Sequence, residues 1–184
     1  MRNHGAALAA AVGVFVTFAT QPTAAQESPN RPHYVKSVKV PGLDVRFLDF
    51  KWDPEVFATL EKGGPHPVGR RSWVLARLLA TTNPFRCDGK VIPVGPSLLI
   101  LNPAQAGAGP TLELRSIDMR EVFVNMNVIA VPPPGATYWQ APASFRHVAA
   151  KTDRLDVSLA EEGGRIDVIV HYGDRETRTT LVRY

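Results

Sequence analysis

LDVSLAEEGGRIDVIVHYGDRETRTTLVRY, residues 155 to 184, decides the fold class. Leu155, Val157 and Leu159 alternate with Asp156, Ser158 and Ala160 until Glu161-Glu162-Gly163-Gly164 interrupts the pattern. A second run, Arg165 to Val170, leads to a turn at Tyr172-Gly173-Asp174, and a third runs from Arg175 to Arg183. Period-two alternation places one apolar face on a core, and short glycine-containing loops supply the positive φ of tight hairpins, so the stretch reads as a three-stranded antiparallel meander. Val168, Ile169 and Val170 are apolar on both faces, which predicts a strand covered on two sides, as in a sandwich.

Upstream, the chain repeats the same vocabulary. Tyr34 to Val40 and Leu43 to Phe50 flank Pro41-Gly42 as an opening hairpin. Asp53-Pro54-Glu55 carries an N-cap acceptor, a proline for the first helical position and an acid for the first turn, predicting a two-turn helix to about Lys62 that stops at Gly63-Gly64. Ser72 to Ala80 fits a helix by the spacing of Leu75, Leu78 and Leu79, and a strand by the shared face of Val74, Ala76, Leu78 and Ala80. The strand is preferred because Asp88-Gly89 just downstream is a strong hairpin signal. Pro96 to Leu101 should be a buried central strand, and Thr111 to Ile117 a strand with Leu112 and Leu114 inward. Glu121 to Val131 should be another, with Val122, Val124 and Met126 inward and an opposite face bearing Asn125 and Asn127. Pro132-Pro133-Pro134-Gly135 should open a long aromatic-rich connection to about Arg154. The expected architecture is all-β, an antiparallel β-sandwich with one short helix.

Residues 1–25 have a charged start at Arg2, an apolar run from Ala6 to Ala19 and a small-residue end at Thr23-Ala24-Ala25, the pattern of a secretory signal cleaved after Ala25. A retained membrane anchor fits less well, since Gly13 and Thr17 interrupt the run and Pro22 stops it. Residues 26–33, with Pro29 and Pro32, form a flexible lead-in, and residues 34–184 suit one domain. The expected location is periplasmic or secreted, with no transmembrane segment after cleavage. The formal charge of +4 drops by one with Arg2, and both signs are interspersed, a balance that excludes a nucleic-acid footprint. Cys87 is the single cysteine, so no internal disulfide can form; burial is the preferred reading, with a reactive thiol or an intermolecular bridge as the alternatives.

Asp88-Gly89-Lys90-Val91-Ile92-Pro93-Val94-Gly95-Pro96 and the apolar strand after it resemble a motif of exported bacterial domains of unknown function, in which glycine-lysine, an apolar pair and proline-alanine-glycine lead into a strand. The strands after Lys151 are similar to that group's closing meander. Where that group has a tryptophan-arginine run before the hairpin, only Trp73 corresponds. The resemblance implies a β-sandwich exported to the cell envelope and no particular activity.

No catalytic motif stands out. His66, His147 and His171 belong to no metal-ligand spacing, Ser72, Ser97, Ser144 and Ser158 have no adjacent base or nucleophile elbow, and the loop 102–109 has no phosphate-cradling pattern, so no cofactor or metal is expected. The candidate contact residues lie on two loops: His66, Arg70, Arg71 and Trp73 on the first, and Tyr138, Trp139, Arg146 and His147 on the second. Aromatic rings beside Arg and His suit stacking on sugars or gripping acidic ligands, whereas the bland alternative has the tryptophans plugging the sandwich. The expected function is that of a non-catalytic envelope or binding module, its partner a small molecule or an envelope protein. The alternatives are a hydrolase or metal-dependent enzyme assembled from distant loops, and a structural part joined through a sheet edge.

Overall fold

The computed structural model describes residues 35–48, 50–117 and 135–184. The expected signal and lead-in, and the strand Glu121 to Val131 with its Asn125 and Asn127 face, lie outside them. Within the described residues the fold is all-β, two antiparallel sheets with one short helix, as the alternation predicts.

The first hairpin pairs β1 (Val35–Val40) with β2 (Leu43–Leu48) about Pro41-Gly42. The helix α1 (Pro54–Lys62) begins where the capping residues place it: the Asp53 side chain accepts from the Glu55 and Val56 N–H groups at 3.0 and 3.1 Å. Its buried side, Val56, Phe57 and Leu60, faces the core. β3 (Trp73–Ala80) is a strand, resolving the ambiguity of that segment. A register shift between Val74 and Ala76 explains why its pattern mixed two periods, since one extra residue flips the faces. Val74 therefore parts company with Ala76, Leu78 and Ala80: it packs with Leu98 and Ile100 on the outer side, while they face the core.

β4 (Phe85–Cys87) and β5 (Lys90–Ile92) close on Asp88-Gly89. Both turn residues have positive φ, +45° and +77°, the backbone that twists with a hairpin and that Asp-Gly tolerates. β6 (Gly95–Asn102) is central and buried on both faces at Leu98, Leu99, Ile100 and Leu101, and β7 (Thr111–Ser116) turns Leu112 and Leu114 inward.

The expected long loop to Arg154 is instead two strands, β8 (Thr137–Pro142) and the 17-residue β9 (Arg146–Glu162). Among the described residues β8 is an edge strand whose register shift opposite Leu114 and Arg115 breaks its alternation, and Arg146 to Lys151 is almost wholly exposed, so neither shows the regular period that half-burial imposes.

β10 (Arg165–Arg183) is extended throughout its 19 residues and yet doubles back. Such a run would span about 60 Å if straight, but the Arg183 N–H donates to the Gly164 carbonyl at 3.0 Å. Asp167 likewise accepts from Thr180 Oγ1 at 2.6 Å and from Arg178 Nη1 at 2.9 Å. The reversal is at Gly173, with φ of +64°. The third strand of the meander is thus the second arm of one continuous segment. Ile166, Val168 and Val170 on the first arm and Thr177, Thr179 and Leu181 on the second are buried. Ile169 is only half-buried, so the first arm is covered fully on one face and not on two.

The larger sheet has the order β1-β2-β3-β6-β7-β8 and the smaller β5-β4-β10-β9. One core draws on both, with Phe47, Leu75, Leu78, Leu99 and Leu114 from the first and Phe85, Leu155, Val168 and Leu181 from the second. At the helix end an aromatic group fills the gap between the sheets: Trp52 lies edge-on to Tyr172 at 4.6 Å, Phe57 to Phe145 at 5.0 Å and Trp73 to Tyr172 at 5.7 Å. Tyr172 Oη is satisfied at its polar end by the Lys51 carbonyl at 2.6 Å.

A polar pocket on the outer face of the larger sheet

Alternation that turns Leu101, Leu112 and Leu114 inward must turn Asn102, Thr111, Glu113 and Arg115 outward. Asn102 stands opposite Thr111 in the β6–β7 register, and Glu113 opposite Gln140 in the β7–β8 register, so four polar side chains from three strands share one patch. Ser72, immediately before β3, joins them. Together with the loop 103–109 and Arg70 they line a cavity of about 510 Å³, within the size range of small-molecule sites.

The floor is a closed hydrogen-bond network around a buried carboxylate. Glu113 is only 3% exposed. Its Oε1 accepts from Arg115 Nε and Thr137 Oγ1, both at 2.6 Å, and its Oε2 accepts from Asn102 Nδ2 at 3.0 Å. Ser72 Oγ donates to Asn102 Oδ1 at 2.7 Å, and Gln140 Nε2 to Thr111 Oγ1 at 3.1 Å. Burial alone pushes the Glu113 carboxyl up, but the hydrogen bonds of Thr137, Arg115 and Asn102 and the charge of Arg115 together hold it below its ordinary value. The carboxylate is ionised at neutral pH and fixes the side chains around it.

The eight candidate contact residues do not form one surface. Arg70 is exposed and lines the pocket, with its Nε held by the Gly64 carbonyl at 2.5 Å. Arg71 is exposed beside it, and His66 is half-buried, its Nδ1 enclosed without a hydrogen-bond partner. Trp73 is in the core, its indole N–H donating to the Val68 carbonyl at 3.1 Å, and so is withdrawn from any contact surface. Trp139 is also buried, and its indole N–H reaches Asp88 Oδ2 at 2.8 Å, tying the tip of the β4–β5 hairpin to β8. Tyr138 packs half-buried against the core. The two tryptophans thus plug the sandwich, each burying a large ring while its indole N–H keeps a hydrogen-bond partner.

Arg146 and His147 are exposed, in a separate charged cluster at the β10 bend. Arg146 Nε donates to Glu176 Oε1 at 2.8 Å, His147 Nδ1 lies 3.5 Å from Asp174 Oδ2, and Arg175 bridges Asp174 and the His147 ring. A smaller cleft of about 290 Å³ adjoins it, walled by Trp52, Phe57, Glu61, Lys151 and Arg175. Among the described residues no three His, Cys, Asp or Glu side chains gather as a metal-holding group. Cys87 is buried, and burial together with the neighbouring Asp88 charge pushes its thiol up to about 12, leaving no thiolate for nucleophilic attack at neutral pH.

Sequence reasoning missed Asn102, Thr111, Glu113, Arg115 and Gln140. Their signal was the polar half of the β7 alternation, which by itself is indistinguishable from a solvated face. Compared with protein-family models, with curated proteins and with solved structures, the chain matches none.

Proposed function

We propose that this chain is a non-catalytic binding module, exported to the periplasm or beyond, which holds a small polar ligand in the pocket between Asn102 and Gln140. One observation supports the reading above others. The pocket floor is fixed by mutual hydrogen bonds around Glu113, so the side chains need not reorganise when a ligand arrives, and preorganisation is what makes a shallow polar site bind. The resemblance of the Asp88 to Leu101 segment to exported domains, and the secretory pattern of residues 1–25, support the location.

Two measurements test it. Native mass spectrometry of protein recovered from the exported fraction should give a chain beginning at Gln26; a chain retaining Met1 in the cytoplasm would refute export. Amide NMR shifts during titration with sugars and small organic acids should move Asn102, Thr111 and Gln140 together, and a panel that leaves all three unmoved at concentrations on the order of 10 mM would refute the pocket.

A further inference from the structure

We infer that the pocket takes a carboxylate-bearing sugar, of the hexuronate class, with the carboxylate on Arg70. This rests on the binding reading above and adds the chemistry of the ligand. The acceptors of the floor are largely occupied: Glu113 Oε1 takes two donors, Glu113 Oε2 takes Asn102, and Asn102 Oδ1 takes Ser72. The rim is the reverse. Arg70 uses Nε on the Gly64 carbonyl, and its two Nη groups have no partner among the described residues. Gln105 is exposed with its carboxamide unpaired, and Gln140 uses one N–H on Thr111 and leaves its carbonyl oxygen open. Donors exceed acceptors, and among the described residues that line the cavity Arg70 is the charged group with no carboxylate beside it. A planar guanidinium whose Nη1/Nη2 fork is open matches a carboxylate.

The remainder of the site argues against a bare anion. About 510 Å³ is several times what one carboxylate or phosphate ion fills. Gln105 and Gln140 can each donate and accept, as hydroxyl groups require. Pro103 and Ala108 supply only a small apolar wall, enough for the C–H face of one ring and too little for an aliphatic chain.

The test is isothermal titration of the purified protein with D-glucuronate, D-glucose and acetate, repeated on Arg70→Ala and Arg70→Lys, with thermal melts to confirm folding. Glucuronate should bind about tenfold or more tightly than either comparator, as expected for one charge-assisted pair. Arg70→Ala should remove that advantage and Arg70→Lys keep part of it, and added salt should weaken glucuronate and leave glucose unaffected. Glucose binding as tightly as glucuronate, acetate matching it, or an unchanged affinity in folded Arg70→Ala would each overturn the carboxylate-sugar inference while leaving a pocket that binds. Absence of heat from all three, with the Asn102 and Gln140 amides unmoved, would overturn this inference together with the pocket reading.

Discussion

Replacing Glu113 asks whether the pocket floor is a structural unit. In Glu113→Ala three donors lose their acceptor, among them Arg115, whose side chain is only one-fifth exposed. Breaking a buried pair by removing one partner costs about 3–5 kcal/mol, and because Arg115 lines the open cavity and Thr137 is exposed, so that water reaches both, the lower end applies, about 3 kcal/mol. In a domain of this size that is a fall in Tm of about 6–12 °C. Glu113→Gln should cost less, about 1–2 kcal/mol, because Asn102 can turn its amide and Ser72 its hydroxyl to accept the new donor. The pH dependence separates this account from a simple packing loss. The folded carboxyl lies below its unfolded value, so its contribution is complete above the ordinary glutamate pKa of about 4.3 and is lost as pH falls through the folded value. The gap between wild type and Glu113→Gln in urea denaturation should therefore be constant from pH 7 to about pH 5 and close below about pH 4. A gap that persists unchanged at pH 3, or an Ala variant within about 0.5 kcal/mol of wild type at pH 7, would refute the reasoning.

Gly173→Ala should be among the most damaging small substitutions: the new Cβ would lie 2.3 Å from the Trp52 ring at a φ of +64°, so a loss of about 3 kcal/mol or failure to accumulate folded protein is expected in a urea melt. Cys87, buried and with a thiol at about 12, should resist a thiol reagent at pH 8 in the native protein and react fully in urea; prompt native labelling would contradict it. Asp53→Ala removes both N-cap bonds of α1 and should cost about 1 kcal/mol by the same melt, with Asp53→Asn close to wild type.

The parts of the fold that could be read from sequence are those where local chemistry and tertiary need agree. Asp53-Pro54-Glu55 starts the helix because its cap is made by neighbours two and three residues away, and Asp88-Gly89 turns the hairpin because both positions need positive φ. β8 and the start of β9 were illegible because their extended backbone is imposed from outside. Leu114 pairs with Trp139, and Arg175 and Glu176 pair with His147 and Arg146 across register shifts at the β10 bend. Exposed on both faces there, Arg146 to Lys151 carries no period to detect. The same reason hides the site: an outward Glu113 has the sequence signature of a solvated acid, and only the register of β6, β7 and β8 shows that three donors converge on it.

The loop from Gly64 to Arg71 links the core to the pocket. Its prolines restrict the backbone, and the core fixes it from below: the Val68 carbonyl receives the Trp73 indole N–H, and Gly69 passes so close to α1 that a Cβ would sit 2.5 Å from the Val56 carbonyl oxygen. The Gly64 carbonyl then holds Arg70 Nε, which aims the rest of the guanidinium from a clamped base rather than a free one. Trp73, which has the composition of a ligand platform, acts on the pocket indirectly: burying its ring pins the loop, and the pinned loop sets Arg70 at the mouth. Arg70 at the cavity and Trp73 in the core, three positions apart, thus share one loop through opposite exposures, which is why residue type alone grouped them and only burial separates them.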